Sequence, residues 1–197
     1  MKGIIKANTV DKYLRSIRYQ IVELVEPNKT LLELGCGNGD LLFKLSGKLK
    51  FGIGIDNSEG LIEYAKDQMK QQQITNLEFR MADLLKHEFS DSKTDYSVVS
   101  LLLHILPWDK SIHLVERLVA ISNTTIICGF TAPENIKQEM LLWFDQRFTG
   151  HYSNFKDYKK NGFTEGILNA IENIAYSRID TFDPVIKIYK ISKCIRN

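Results

Sequence analysis

Leu31-Leu32-Glu33-Leu34-Gly35-Cys36-Gly37-Asn38-Gly39-Asp40 decides the fold. An apolar run closes around one acidic residue, three glycines alternate with other residues, and an amphipathic run follows from Leu41. This pattern predicts a buried strand that turns tightly into a helix. Glycine is needed where the backbone takes positive φ or where a ligand touches main chain. Glycines at every second position therefore predict a ligand lying on the turn. A second stretch, Phe51-Gly52-Ile53-Gly54-Ile55-Asp56, reads as another buried strand with Asp56 at its carboxyl end. A glycine-rich first βα turn with an acidic residue about 20 positions later is the pattern that grips a nucleoside-containing ligand.

The spacing narrows that ligand. Counted from Gly35, the dinucleotide fingerprint G-x-G-x-x-G needs its last glycine where Asp40 stands, and here it comes earlier, at Gly39. No Lys followed by Ser or Thr completes a P-loop. A bare carboxylate at Asp40 would repel a pyrophosphate, which seeks the helix N-terminus. An adenosine bearing an amino-acid tail fits better. Its ribose diol suits Asp56, and its ammonium tolerates acidic neighbours.

Outward from this centre, the chain alternates strand and helix. Leu14, Ile17, Ile21, Leu24 and Val25 share one face of a helix expected over 11–25. Strands are expected near 30–34, 51–55, 77–81, 96–102 and 124–130, with helices between them. Asn57 or Ser58 can cap the helix after strand two, and Asp109 the helix after strand four. Ile112, Val115, Leu118 and Val119 form the expected buried face of the latter. Repeated β-then-α order implies a doubly wound, mostly parallel sheet in a three-layer α/β/α sandwich. The last third breaks the rhythm. A helix is expected over 134–148 with Met140, Leu141 and Phe144 on one side, and another over 164–171. Strands near 174–180 and 185–192 have a short connection, so they must pair antiparallel. The result is a seven-stranded sheet ending in a hairpin.

Composition sets the outer bounds. A chain of 197 residues is expected to form one domain over 1–197. A net charge of +2 is too small to mark a nucleic-acid surface by itself. Cys36, Cys128 and Cys194 have no metal spacing and read as reduced thiols of a cytoplasmic protein, with no metal site expected. The apolar stretch from Val98 to Leu106 is too short to span a bilayer, and residues 1–6 lack the apolar core of a secretory signal, so no membrane partner is expected.

With these residues in order, the chain resembles the class I methyltransferases that use S-adenosyl-L-methionine. Glu33-x-Gly35-x-Gly37-x-Gly39 is similar to their first motif, and Asp56 to their ribose-binding acid. Ala82-Asp83-Leu84 is similar to the motif after strand three, whose Asp meets the adenine amino group. Tyr96-Ser97-Val98-Val99-Ser100 leading to His104 resembles their fourth strand running to the active site. The likeness is good over roughly residues 30–131 and holds only in pattern for the last two strands. It implies a Rossmann-like fold and S-adenosyl-L-methionine as cofactor. The implied contacts are Glu33, Gly35, Cys36, Gly37, Asp56, Asn57, Ala82, Asp83, Leu84 and Ser100. Segments 1–28 and 132–173 become the variable substrate caps. Relatives that methylate exocyclic amines of bases usually carry Asn/Asp-Pro-Pro-aromatic after strand four. Here Ser100-Leu101-Leu102-Leu103-His104 stands there, which argues against that acceptor class.

The expected function is methyl transfer to a small-molecule acceptor by a monomer or homodimer. The competing readings are a non-catalytic S-adenosylmethionine sensor or partner subunit, an RNA methyltransferase, and an NAD-linked oxidoreductase. His104, directly after strand four, is the candidate to remove a proton from the acceptor or orient it. A half-buried histidine under the next loop is the alternative. Trp108, His151, Tyr152 and Tyr158 are candidates for the acceptor pocket, each also readable as packing. Lys156, Lys159 and Lys160 read either as a basic patch for an anionic acceptor or as a solvated helix face. Arg15 and Arg18 are placed to reach the methionine carboxylate if the first helix folds over the cofactor. Asp40 doubles as a first-turn acid that favours the helix dipole.

Overall fold

The structure, a computed structural model, describes residues 2–86, 93–147 and 150–194. Seven strands form one sheet in the order β3-β2-β1-β4-β5-β7-β6, six of them parallel and β7 running against them. The chain divides into two compact units, residues 1–99 and 100–197. Each is built around its own part of the strand series.

In the first unit, α1 runs from Lys2 to Leu24, beginning earlier than the apolar spacing alone indicates. Leu14, Ile17 and Ile21 are buried at the expected spacing, and Val25 is buried just past the helix end. β1 (Thr30–Leu34), β2 (Phe51–Asp56), β3 (Leu77–Met81) and β4 (Thr94–Ser100) are parallel, with Leu34 beside Ile55 and Asp56 beside Met81. This register brings the carboxyl ends of β1, β2 and β3 to one level. At the other end, the Thr30 N–H and hydroxyl both donate to Asp95 Oδ2 at 2.9 Å, and the Asp95 N–H donates back to Thr30 Oγ1 at 3.0 Å.

Helix α2 (Asp40–Leu45) lies close on the sheet because β2 carries glycines on the face beneath it. A Cβ on Gly54 would sit 2.8 Å from both Cys36 Sγ and Leu42 Cδ1, and 2.9 Å from Phe79. Leu41, Leu42 and Leu45 are thereby sealed into the core. Helix α3 (Glu59–Gln71) buries Ile62 and Ala65, while Leu61 and Met69 are half-buried.

The second unit begins as β4 ends at Ser100. Leu101 takes φ 50° and donates its N–H to the Cys128 carbonyl at 2.8 Å, and a short 3-10 turn, Leu103–Ile105, follows. Helix α4 (Trp108–Ile121) starts directly after its N-cap residue, Pro107. Asp109 therefore lies in the first turn and does not cap. The buried face is Ser111, Leu114, Val115, Leu118 and Val119, so Ser111 and Leu114 take places beside the expected residues and Ile112 is half-buried. Ser111 is tolerated there because its hydroxyl donates to the Leu103 carbonyl at 2.9 Å.

β5 (Ser122–Phe130) pairs antiparallel with β7 (Ile186–Lys193), which pairs antiparallel with β6 (Ile174–Asp180). Three helices fill the connection between β5 and β6: α5 (Ile136–Arg147), α6 (Tyr152–Lys160) and α7 (Phe163–Asn169). The expected end of the first at Phe148 lies outside the described residues. No helix among the described residues is long and apolar enough to cross a membrane.

Candidate functional site

The turn after β1 has three left-handed glycines, Gly35, Gly37 and Gly39, at φ 70°, 54° and 80°. That conformation costs an L-residue roughly 1–2 kcal/mol, which explains glycine at each position. The Gly35 and Cys36 N–H groups turn back to the Ile55 carbonyl at 2.8 and 3.2 Å. The Gly37 N–H goes to Asp56 Oδ2 at 2.9 Å, and the Ser58 N–H goes to Asp56 Oδ1 at 2.9 Å. Asp56 is thus gripped by one main-chain donor from each of two βα turns. Each carboxylate oxygen keeps a lone pair for another donor. The Asp56 carbonyl accepts the Ala82 N–H at 3.0 Å, which ties the third strand end to the same point.

Around this centre lie other expected cofactor residues of the first unit. Glu33 is 4% exposed and sits beside Gly54 and Val98 in the sheet. Asn57 is exposed between Asp56 and Ser58. Leu84 is buried. Asp83 is half-exposed, and its Oδ1 accepts the Leu85 N–H at 3.0 Å. That bond, with Lys86 at 3.3 Å, holds the Asp83 carboxyl below the usual carboxylate range. Asp83 therefore closes its own turn, whatever else it contacts.

The chemistry of Cys36 and Asp40 is set by their neighbours. Burial pushes the Cys36 thiol up, and the Glu33 and Asp56 carboxylates add to the effect. Cys36 is a neutral thiol, and its Sγ–H points to the Gly37 carbonyl at 3.9 Å. Asp40 bonds Arg18 Nη1 at 2.7 Å and the Lys44 ammonium. Its charge is met by two cations, so repulsion of a pyrophosphate by a bare Asp40 has no basis in the structure. The same bond commits Arg18 to Asp40, while Arg15 is exposed.

This cradle fits an adenosyl group. A Cβ on Gly37 would meet nothing nearer than Leu61 Cδ1 at 4.0 Å, so the main chain there is open to a ligand. The anchored Asp56 carboxylate presents acceptors for a vicinal diol. Among the described residues no group of three or more His, Cys, Asp or Glu could hold a metal ion.

In the second unit, His104 is 8% exposed and ringed by aromatics. Its ring centroid is 4.8 Å from Phe130, 6.3 Å from Tyr158 and 6.5 Å from Phe155. Burial, with His151 as a nearby like charge, lowers its pKa to about 4. Tyr158 is buried completely among these rings. Its hydroxyl donates to the Phe130 carbonyl at 3.0 Å and lies 2.6 Å from Thr164 Oγ1. Trp108 packs over Gly166, and His151 stands exposed at the start of α6.

A cavity of about 220 Å³ opens between α5 and α6. Of the four expected pocket residues it takes Tyr152 and leaves Trp108, His151 and Tyr158 outside its lining. Its other walls include Leu142, Trp143, Phe155 and Phe163, with Lys156, Lys159 and Lys160. Trp143 and Phe155 are not singled out by the sequence. For Phe155 the available signal was its helical spacing with Tyr152 and the lysines of α6; Trp143 comes from α5 and had no such local signal.

A parallel sheet with a C-terminal antiparallel hairpin, a glycine turn after β1 and an acid closing β2 define a class I methyltransferase domain. The profile of the family described as "Methyltransferase domain" matches residues 25–165, and the chain belongs to this S-adenosylmethionine-dependent family. The chain is 35% identical over 103 residues to putative methyltransferase 235L of Invertebrate iridescent virus 6, covering 51% of this chain and 36% of that protein. It is 30% identical over 77 residues to the 23S rRNA (uracil(1939)-C(5))-methyltransferase RlmD of Vesicomyosocius okutanii subsp. Calyptogena okutanii (strain HA), covering 39% of this chain and 17% of that protein. The matches thus span well under half the length of these curated relatives. In fold, it is similar to N-methyltransferase NodS of Bradyrhizobium japonicum WM9 in complex with S-adenosyl-L-homocysteine. The TM-score is 0.67 at 15% identity, over 91% of this chain and 86% of that one.

Proposed function

We propose that the chain moves a methyl group from S-adenosylmethionine to a small-molecule acceptor, working as a single catalytic domain. The observation that carries this reading is Asp56, held at 2.9 Å by the N–H groups of both Gly37 and Ser58. When bound, S-adenosylmethionine supplies a methyl group activated on a sulfonium. The chain's residues bind and orient. Asp56 accepts the ribose hydroxyls, and the main chain at Gly35, Cys36 and Gly37 lies under the amino-acid tail. Glu33 answers the ammonium, while Asn57, Ala82, Asp83 and Leu84 frame the base. Orientation of this kind can supply effective molarities on the order of 10⁵–10⁸ M.

His104 is uncharged at neutral pH because its pKa lies near 4. Its free lone pair can accept a proton, though weakly, and its ring stiffens the aromatic wall. An obligatory strong base is therefore absent from this reading, and the acceptor loses its proton to solvent or before it binds. A small acceptor is supported by the cavity of about 220 Å³ and by the modest net charge of +2. An RNA acceptor is the second reading, favoured by the likeness to an rRNA methyltransferase. We place the reaction in the cytoplasm, in keeping with Cys36, Cys128 and Cys194 all being free thiols.

Titration calorimetry with S-adenosylhomocysteine tests the binding half of the proposal. No heat at high micromolar concentration overturns it. Release of S-adenosylhomocysteine on incubation with a metabolite extract, and not with ribosomal or transfer RNA, supports the small acceptor. Binding without release in either pool identifies a sensor.

A further inference from the structure

We propose that the cavity between α5 and α6 recognises a small planar anion, and that the methyl acceptor belongs to this class; the second half rests on the methyltransferase reading. The walls are made for a flat apolar body. Trp143, Tyr152 and Phe155 line the space with Leu142, and the Tyr152 and Phe155 rings are stacked at 6.4 Å between centroids. The cavity volume of about 220 Å³ suits a small fused-ring molecule.

The charge around that body is one-sided. Lys156, Lys159 and Lys160 reach the cavity against one carboxylate, Glu139. Glu139 is already held by Lys159 at 2.5 Å. Among the described residues Lys160 has no acidic partner. The Lys156 ammonium lies over the Tyr152 ring, 5.7 Å from its centroid. The Arg147 guanidinium lies 5.7 Å from the same ring and 5.1 Å from Trp143. Two cations therefore flank one wall ring, and a third stands uncompensated beside it. A planar carboxylate, sulfonate or phosphate ester would enter with its ring among the aromatics and its charge toward Lys156 and Lys160.

The residue expected to act on the acceptor lies one ring away from the cavity. Phe155 forms its wall and meets the His104 ring edge-on, at 6.5 Å and 85°. His104 thus sits directly behind the aromatic wall. This continuity ties the cavity to acceptor recognition, where an exposed surface patch of lysines would have no such link.

The test uses the full chain and titration calorimetry with 1-naphthoate as probe and 1-naphthamide as its neutral isostere. The acid should bind at least tenfold more tightly than the amide. The Lys156→Gln/Lys160→Gln double variant should lose that preference, with amide and S-adenosylhomocysteine affinities unchanged. Equal binding of acid and amide, or an acid affinity untouched by the double variant, overturns the cavity assignment. For the acceptor, S-adenosylhomocysteine release is compared between hydroxynaphthoates and the matching naphthols. A higher kcat/KM for the acids, with KM raised in the double variant, supports it, and equal or faster turnover of naphthols overturns it. Naphthoate binding in a chain that does not bind S-adenosylhomocysteine sinks the methyltransferase reading and leaves the cavity assignment standing.

Discussion

The glycine turn of the first unit and the aromatic cavity of the second solve recognition in opposite ways. The turn uses main chain: left-handed backbone at Gly35, Gly37 and Gly39, and N–H groups aimed at one carboxylate. The cavity uses side chains contributed by helices after β5, with rings for walls and lysines at the rim. A main-chain site tolerates almost no substitution, because each atom is fixed by backbone geometry. A side-chain site can change ligand by exchanging a few residues while its helices persist. That contrast suits a domain with one constant ligand and one variable one.

The largest expected effect comes from breaking the main-chain site at its anchor. Asp56→Ala removes the acceptor for the ligand diol and orphans the Gly37 and Ser58 N–H groups. Charge-assisted hydrogen bonds are each worth about 1.5–3 kcal/mol, so S-adenosylhomocysteine affinity should fall on the order of 10³-fold by calorimetry. Retained affinity would leave the turn without its ligand.

Next comes acid sensitivity in the second unit. The His104 pKa is lowered from 6.5 to about 4 in the folded state. Between those values the unfolded chain binds more protons, so stability rises with pH. The contribution is complete above pH 6.5 and is lost as the pH falls toward 4, amounting to about 3 kcal/mol at full extent. Chemical denaturation from pH 7.5 to 4 should show this loss. His104→Leu should flatten that part of the profile, and an unchanged slope would mean that other groups carry it.

A smaller effect sharpens the packing under the turn. Gly54→Ala places a methyl 2.8 Å from Cys36 Sγ and Leu42. Overpacking of this kind costs about 1–3 kcal/mol, read as a lower denaturant midpoint. The contrasting Gly37→Ala meets no neighbour closer than 4.0 Å, so it should cost only its φ strain while weakening S-adenosylhomocysteine binding. The smallest effect belongs to Asp40→Asn. It releases partly exposed bonds to Arg18 and Lys44, should cost about 1 kcal/mol or less, and should fade with added salt. Cofactor affinity should not change.

The same contrast explains what was legible in the sequence. The first unit's site sits within local spacings: Gly35 to Gly39, then Asp56 one strand later and Ala82 one strand after that. Strand-end residues in a parallel sheet converge by topology alone, so their order suffices to place them together. The Asp40 misreading arose because its partner Arg18 is 22 positions away, on α1. In the second unit, Phe155 and Tyr158 are both aromatic and three positions apart on α6. Both are buried, and nothing local tells which of them lines the cavity. Tyr158 turns to the Phe130 carbonyl and is lost to packing, while Tyr152 and Trp143, on different helices, meet at a cavity. Such assembly depends on how α5 and α6 settle, and residue types alone do not encode it.

The Thr30–Asp95 clasp has a consequence far from its position. Three hydrogen bonds fasten the opening residue of β1 to β4, at the edge opposite the glycine turn. A strand slipped by one residue advances about 3.3 Å and inverts every side chain. In that misalignment the clasp is broken and Glu33 changes face. A threonine hydroxyl at the silent end of the molecule thus acts as an alignment pin, setting the height at which the working end emerges.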